Sequence, residues 1–165
     1  MIKSLITILA CAAAGLVSME AKTLKVPNED FAIASINIPD GWEQEEITNG
    51  VAGTSPDGAV YLAVVGVGSD KGMNAEIEDT FAMLKEHKVV LDQSSKKENK
   101  FKVNGLDAEE LVFQGKDEDG PTSVSITMVP IKDKVLVLTY WVSTEDEAKH
   151  EEEVGKIVNS LKPAA

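Results

Sequence analysis

Residues 122–129 read Thr-Ser-Val-Ser-Ile-Thr-Met-Val, and from Ser123 onward polar and apolar side chains alternate. A period of two places Val124, Ile126 and Met128 on one face of an extended chain and the hydroxyl side chains on the other. This pattern is typical of a half-buried strand, with one face towards the core and the other towards water. The segment therefore predicts a β-strand in a sheet that is covered on its apolar face.

Further strand-like segments lie on both sides of this one. Residues 135–142 follow a tight turn at Lys132-Asp133-Lys134, and residues 108–114 precede an acidic turn. Residues 59–67 form a nearly continuous apolar run, which indicates a central strand covered on both faces. Residues 31–38 and the polar residues 46–55 also have strand character.

Five Asx-Gly pairs separate these segments. Such pairs tolerate positive φ at both positions, which a type I′ hairpin turn requires. Because hairpins join neighbouring strands that run in opposite directions, we expect an antiparallel sheet. The pairs are Asp40-Gly41, Asn49-Gly50, Asp57-Gly58, Asn104-Gly105 and Asp119-Gly120.

The first helical pattern covers residues 74–88. Ile77, Phe81 and Leu84 fall on one face, and Asn74 stands where it could cap the N-terminus.

The second helical pattern covers residues 145–161 and has one apolar face. Thr144 and Glu147 have the spacing of a capping box, and Pro163 marks the end of the helix. Each helix is expected to cover part of the sheet. We therefore predict an α+β fold, a central antiparallel β-sheet packed by helices, in a single domain of residues 22–165. The apolar positions of this helix are Val154, Ile157, Val158 and Leu161.

The N-terminus has the build of a secretory signal peptide. Lys3 is followed by 16 uncharged residues, Ser4 to Met19, fewer than the roughly 20 that span a bilayer. We predict a signal peptide of residues 1–21, cleavage after Ala21, and a periplasmic or secreted protein with no transmembrane span after cleavage. An uncleaved anchor remains an alternative.

Cys11 offers another alternative for the N-terminus. Ile8-Leu9-Ala10-Cys11 loosely resembles a bacterial lipoprotein box, in which the cysteine carries a lipid anchor. If the cysteine is removed with the signal peptide, the mature chain has no cysteine, which excludes disulfides and thiol chemistry.

Composition limits the partners of the mature chain. Of the 165 residues, 28 are acidic and 16 basic, all of them lysine, for a net charge of −12. Nucleic-acid binding needs a clustered positive surface, which this balance argues against. An acidic surface favours proteins with neutral or basic patches as partners.

No residue is predicted to be catalytic, cofactor-binding or metal-binding. His87 and His150 are each expected on a solvated helix surface, without a recognisable nucleophile motif beside them. Asp117-Glu118-Asp119-Gly120 does not complete a calcium-loop pattern and is expected at a hairpin tip. Gly66-Val67-Gly68 lacks the third glycine of a dinucleotide fingerprint and is expected in a loop. Trp42 and Trp141 are expected in the core or at its edge.

Several short motifs resemble landmarks of the PsbP-like/DcrB-like superfamily. They lie in order between residues 31 and 162, and none is specific alone. The resemblance implies an α/β/α sandwich around an antiparallel sheet, and its members include a photosynthetic oxygen-evolving subunit, envelope lipoproteins and partner-binding proteins. The superfamily shares no catalytic motif, so no site residue is carried over. The motifs are Phe31 with Ile36-Asn37-Ile38-Pro39-Asp40-Gly41-Trp42, then Asn104-Gly105-Leu106-Asp107-Ala108, Val137-Leu138-Thr139-Tyr140 and Ile157-Val158-Asn159-Ser160-Leu161-Lys162.

Two functional hypotheses follow. The first is an exported, non-enzymatic cell-envelope protein that binds a protein partner or assembly, with no cofactor. The second is an exported hydrolase or metal-dependent enzyme whose site has no recognisable motif. A deep pocket that converges on His87 or His150 with acids would favour the enzyme, and a smooth domain with an apolar patch would favour the binding protein.

Overall fold

A computed structural model describes residues 20–68 and 70–164. Within these ranges the chain forms ten strands and two helices. None of the helices described is both long and apolar enough to cross a membrane. In chain order the elements are β1 (Ala21–Val26), β2 (Ala34–Pro39), β3 (Glu43–Ile47), β4 (Gly50–Thr54), β5 (Val60–Val67), α1 (Asp70–Glu86), β6 (Val90–Val103), β7 (Leu106–Lys116), β8 (Pro121–Ile131), β9 (Lys134–Ser143), α2 (Glu147–Asn159) and β10 (Lys162–Pro163).

Seven of the strands form one antiparallel sheet in the order β3-β4-β5-β9-β8-β7-β6. Its centre is the pairing of β5 with β9, which runs from Val60 opposite Val142 to Val67 opposite Val135. The apolar run of β5 is thus a central strand, as predicted. A second antiparallel sheet has the order β1-β2-β10.

The two faces of the seven-stranded sheet bury separate apolar clusters. On one face, α1 packs Ile77, Phe81 and Leu84 against β5, β8 and β9. On the other face, the three-stranded sheet and α2 close the larger cluster, in which Ile36 of β2 and Ile157 of α2 are buried. The predicted α+β fold, an antiparallel sheet packed by helices, is confirmed.

Both helices begin at positions other than those predicted. Helix α1 starts at Asp70 rather than at Asn74, which lies exposed inside the helix. The early start lets Met73 pack against the sheet.

In α2 the N-cap is Asp146, without a side-chain hydrogen bond, so the predicted capping box is wrong. The Thr144 N–H donates to Pro121 O (3.0 Å), and Glu147 Oε2 accepts from Ser123 Oγ (3.3 Å). The Thr144 N–H and the Glu147 carboxylate would pair with each other in a capping box, and here each is hydrogen-bonded to β8 instead.

The alternating strand β8 is buried on both faces. Val124 and Ile126 pack under α1 as predicted. Ser123, Ser125 and Thr127 on the opposite face are also buried, so the prediction of a water-facing side is wrong. Their hydroxyl groups are satisfied by hydrogen bonds to neighbouring polar side chains.

Strand β6 was missed because its sequence is polar along its length. Its 14 residues lie at one end of the seven-stranded sheet, and its register with β7 shifts between Asp92 and Lys97. Ion pairs from Lys100 to Glu109 and from Lys102 to Asp107 tie it to β7. Strands β1 and β10 were missed as well.

The turns differ more from one another than the Asx-Gly pattern predicts. Only Asn104-Gly105, of the five pairs, has positive φ at both residues (47° and 85°). It forms the two-residue turn between β6 and β7, where Val103 pairs with Leu106. At Asn49-Gly50, only Asn49 has positive φ (58°), and Gly50 begins β4.

Candidate functional site

His150 is buried in α2, contrary to the prediction of a solvated helix face. Its side chain is 7% exposed, and Nε2 lies 3.0 Å from Asp57 Oδ2. Nδ1 lies 3.7 Å from Glu153 Oε2. The burial arises because His150 faces the turn between β4 and β5, 93 residues away in sequence.

Asp57 is the centre of this cluster. Its Oδ1 accepts hydrogen bonds from Ser55 Oγ (2.7 Å) and the Ala59 N–H (3.3 Å), and Oδ2 accepts one from Lys149 Nζ. Hydrogen bonds from Lys149 and from Ser55 hold the pKa of Asp57 well below its ordinary value. The cluster joins α2 to the β4–β5 turn.

The geometry of the Asp57 cluster differs from that of a catalytic triad. In a triad the imidazole lies between hydroxyl and carboxylate and takes the proton of the hydroxyl. Here the carboxylate of Asp57 lies between Ser55 and His150, and Ser55 Oγ accepts from the Val60 N–H (3.0 Å) while donating to Asp57. The arrangement is suited to holding two elements together.

Replacing Asp57 with asparagine is expected to lower the free energy of unfolding at neutral pH by about 1 kcal/mol. A carboxyl whose pKa is lowered by folding contributes stability above its unfolded pKa and loses it as the pH falls towards the folded pKa. The difference between wild type and Asp57→Asn should therefore shrink below about pH 4. Urea denaturation across that range measures it. Asp119→Asn, at an exposed hairpin tip, is the control, and an equal deficit at all pH values would contradict the prediction.

The other residues that the sequence analysis considered for a site lie at the surface, in the core or within a strand. His87 is exposed just beyond α1, as predicted, with its ring 5.6 Å from that of Trp141. Trp42 is buried and Trp141 partly buried, which confirms both as core or core-edge residues. Gly66 and Val67 belong to β5, so the predicted loop there is wrong for these two residues.

The acidic segment Asp117-Glu118-Asp119-Gly120 forms the predicted hairpin tip between β7 and β8. Asp117 Oδ1 accepts the N–H groups of Asp119 (2.9 Å) and Gly120 (3.0 Å). Within residues 20–68 and 70–164 there is no group of three or more His, Cys, Asp or Glu side chains placed to hold a metal. Cys11 and most of the predicted signal peptide lie outside the described residues.

Two open cavities lie side by side where β5 ends and β9 begins. The first, of about 450 Å³, is lined by the β1–β2 connection and by the adjacent ends of β5 and β9, and Lys134 borders it. The second, of about 460 Å³, shares Lys134 and has Met73, Met128 and Val135 in its apolar lining. Neither cavity includes His87 or His150.

Phe31 is the most exposed large apolar side chain in the described part of the chain. It lines the first cavity and is 75% exposed. Its backbone is hydrogen-bonded within the turn, because Asn28 Oδ1 accepts the N–H groups of Asp30 and Phe31 (both 3.1 Å). A hydrogen bond from the Ile33 N–H to Val26 O (2.7 Å) closes the connection between β1 and β2. We call residues 28–31 the Phe31 turn.

Sequence reasoning missed the Phe31 turn, because it assigned Phe31 to the start of a strand. Strand β2 begins only at Ala34. Pro27-Asn28-Glu29-Asp30, directly before Phe31, consists of turn-forming and charged residues, and this signal could have moved the predicted start of the strand to a later residue.

Comparison of the structure with solved structures identifies the fold. Cyanobacterial PsbP from Synechocystis sp. PCC 6803 superposes with a TM-score of 0.58 over 95% of this chain and 99% of that protein, at 9% identity. The chain has the PsbP-like fold. The fold that the sequence resemblance implied is thereby confirmed. No family model and no curated protein matches the sequence.

Two further solved structures resemble this PsbP-like domain. The Ran-binding protein Mog1p of Saccharomyces cerevisiae matches with a TM-score of 0.50 and 12% identity over 88% of this chain and 96% of that protein. A protein from Bacteroides thetaiotaomicron matches with a TM-score of 0.55 and 13% identity over 80% of this chain. The PsbP-like domain spans 45% of that longer protein. At such identities the likeness concerns the fold alone.

Proposed function

We propose that this chain is an exported, non-enzymatic protein of the cell envelope that binds a protein partner or assembly through the Phe31 turn. The observation that carries the proposal is the exposed ring of Phe31, presented by a hydrogen-bonded turn beside an open cavity. Burying a phenylalanine on association is favourable, and a preorganised turn loses little entropy on binding. Aromatic residues are enriched at the centres of protein interfaces.

A binding role is favoured over catalysis by the placement of the titratable groups. The buried histidine and its acidic neighbours hold α2 against the β4–β5 turn. The two cavities are bordered by charged and apolar side chains without a histidine. Mog1p, which has a similar fold, is described as a Ran-binding protein, and the fold is thus compatible with protein recognition.

The export half of the proposal rests on the sequence of residues 1–21. Strand β1 begins at Ala21, and Lys22 pairs with Ile38 of β2. Cleavage after Ala21 would therefore leave this pairing in a domain of residues 22–165. A lipid on Cys11 would instead leave residues 11–20 as a tether between membrane and domain.

Photo-crosslinking in intact cells tests the binding half. A photoreactive phenylalanine analogue in place of Phe31 is expected to capture a specific envelope protein. The same analogue at Val90, which is 60% exposed elsewhere on the surface, should not capture it. Adducts that are identical at both positions would contradict a role for the Phe31 turn.

The protein recovered in the same experiment tests export. Its N-terminus should lie near Lys22, and a lipid-bearing Cys11 would establish the lipoprotein alternative instead. An intact Met1 in the cytosol would contradict both.

A further inference from the structure

The Phe31 turn carries two carboxylates that form no ion pair with a described lysine or histidine side chain. Glu29 and Asp30 are both exposed, and the Asp30 N–H donates to Asn28 Oδ1. No ion pair of the described side chains involves either residue. By contrast, the carboxylates of Glu109 and Asp107 are each 2.5 Å from a lysine. The turn thus presents an aromatic ring together with two carboxylates that are not ion-paired.

The first cavity is lined by groups that suit a long cationic side chain. Pro27, Ile33 and Val67 provide apolar surface, while Phe31 and Asp30 also line the cavity. An arginine side chain combines an apolar stem with a planar cation that can stack on an aromatic ring and bind a carboxylate bidentately. A lysine has the charge but not the plane, so it matches these groups less well.

We propose that the partner inserts an arginine side chain into this cavity, with its guanidinium against the Phe31 ring and the Asp30 carboxylate. The inference rests on the proposed function and specifies the chemistry of the partner. The chain has 16 basic residues, all lysine, so it contains no arginine of its own to occupy the site. The net charge of −12 also favours a basic partner.

Lys134 is expected to weaken the binding of an arginine side chain in this cavity. It lines the same cavity on the side of Gly68, and among the described side chains its ion pair is with Asp133, at 4.0 Å. Its ammonium group opposes a cation in the cavity, because like charges repel. Replacing Lys134 with methionine keeps an apolar side chain of similar length, and this change should strengthen the binding of an arginine.

The experiment titrates the full protein, as recovered from the envelope, with four synthetic peptides and follows backbone amide resonances by NMR. The peptides have the sequence Gly-Ser-Leu-X-Leu-Ser-Gly with blocked ends, where X is arginine, lysine, citrulline or glutamate. Citrulline keeps the shape of arginine without its charge. The arginine peptide should shift the amides of residues 29–33 and 66–68, and bind about tenfold more tightly than the citrulline peptide.

Matched variants of the protein locate the site. Phe31→Ala and Asp30→Asn should each weaken binding of the arginine peptide about fivefold, and Lys134→Met should strengthen it. Val90→Ala and Asp119→Asn remove similar groups from other parts of the surface and should change nothing.

Several results would overturn the inference. These are equal binding of the arginine and citrulline peptides, tighter binding of the glutamate peptide, resonance shifts confined to α2, or no binding of any peptide. Shifts at the Phe31 turn that depend on protein concentration without peptide would assign the surface to a second copy of the chain. Crosslinking at Phe31 to a partner with no arginine at the contact would reject this inference and leave the proposed function standing.

Discussion

Ile126→Asp is expected to prevent the protein from folding. The side chain of Ile126 is fully buried in the cluster beneath α1, together with Val124 and Val137. The change removes a core side chain worth about 2–5 kcal/mol and places an unpaired carboxylate where water cannot reach it. Since a domain is stable by only about 5–15 kcal/mol, the two losses together should leave little folded protein.

Circular dichroism and urea denaturation measure this effect. Ile126→Val is the matched control and should cost about 1 kcal/mol, since it removes one methyl group from the same site. A folded Ile126→Asp protein with the denaturation midpoint of the wild type would show that β8 does not turn this face towards α1.

Ser125→Asp is expected to destabilise the protein by about 2–4 kcal/mol, although the alternation in β8 alone would predict a neutral change. Ser125 is 8% exposed and Glu110 is 7% exposed. Ser125 Oγ donates to Glu110 Oε1 at 2.5 Å. An aspartate at this position would place two carboxylates in contact and remove the hydrogen-bond donor.

Two variants separate the causes of this effect in urea denaturation. Ser125→Ala removes only the hydroxyl and should cost about 1 kcal/mol. Adding Glu110→Gln to Ser125→Asp removes the like charge and should recover part of the lost stability. A double variant no more stable than Ser125→Asp alone would show that repulsion from Glu110 is not the cause.

The strands that could be predicted from the sequence are those whose apolar pattern matches their burial. The inner part of the sheet contains β5, β9, β8 and β7. These strands are rich in valine, leucine and isoleucine, as expected for their buried position. Strand β6 has 14 residues and few apolar ones, because its pairing with β7 depends on backbone hydrogen bonds and lysine–carboxylate pairs. Its sequence therefore lacks the period that identifies a strand.

The side chains whose burial was predicted wrongly from the sequence are buried by contacts between distant parts of the chain. His150 has charged neighbours in sequence and looks solvated, but Asp57 meets it from a turn 93 residues earlier. Ser125 looks like the polar side of a half-buried strand, yet Glu110 on the neighbouring strand accepts its hydrogen bond. A pattern read along one strand cannot reveal a partner that arrives through pairing or packing.

The polar character of β6 has a consequence for encounters between molecules. As the last strand of the seven-stranded sheet, it presents a row of backbone donors and acceptors that a foreign strand could extend. Lys96, Lys97, Lys100 and Lys102 stand along it, and the register shift after Asp92 interrupts its regular pairing geometry. Charge and irregularity of this kind oppose edge-to-edge aggregation. The longest strand in the described part of the chain is thereby protected from the addition of a foreign strand.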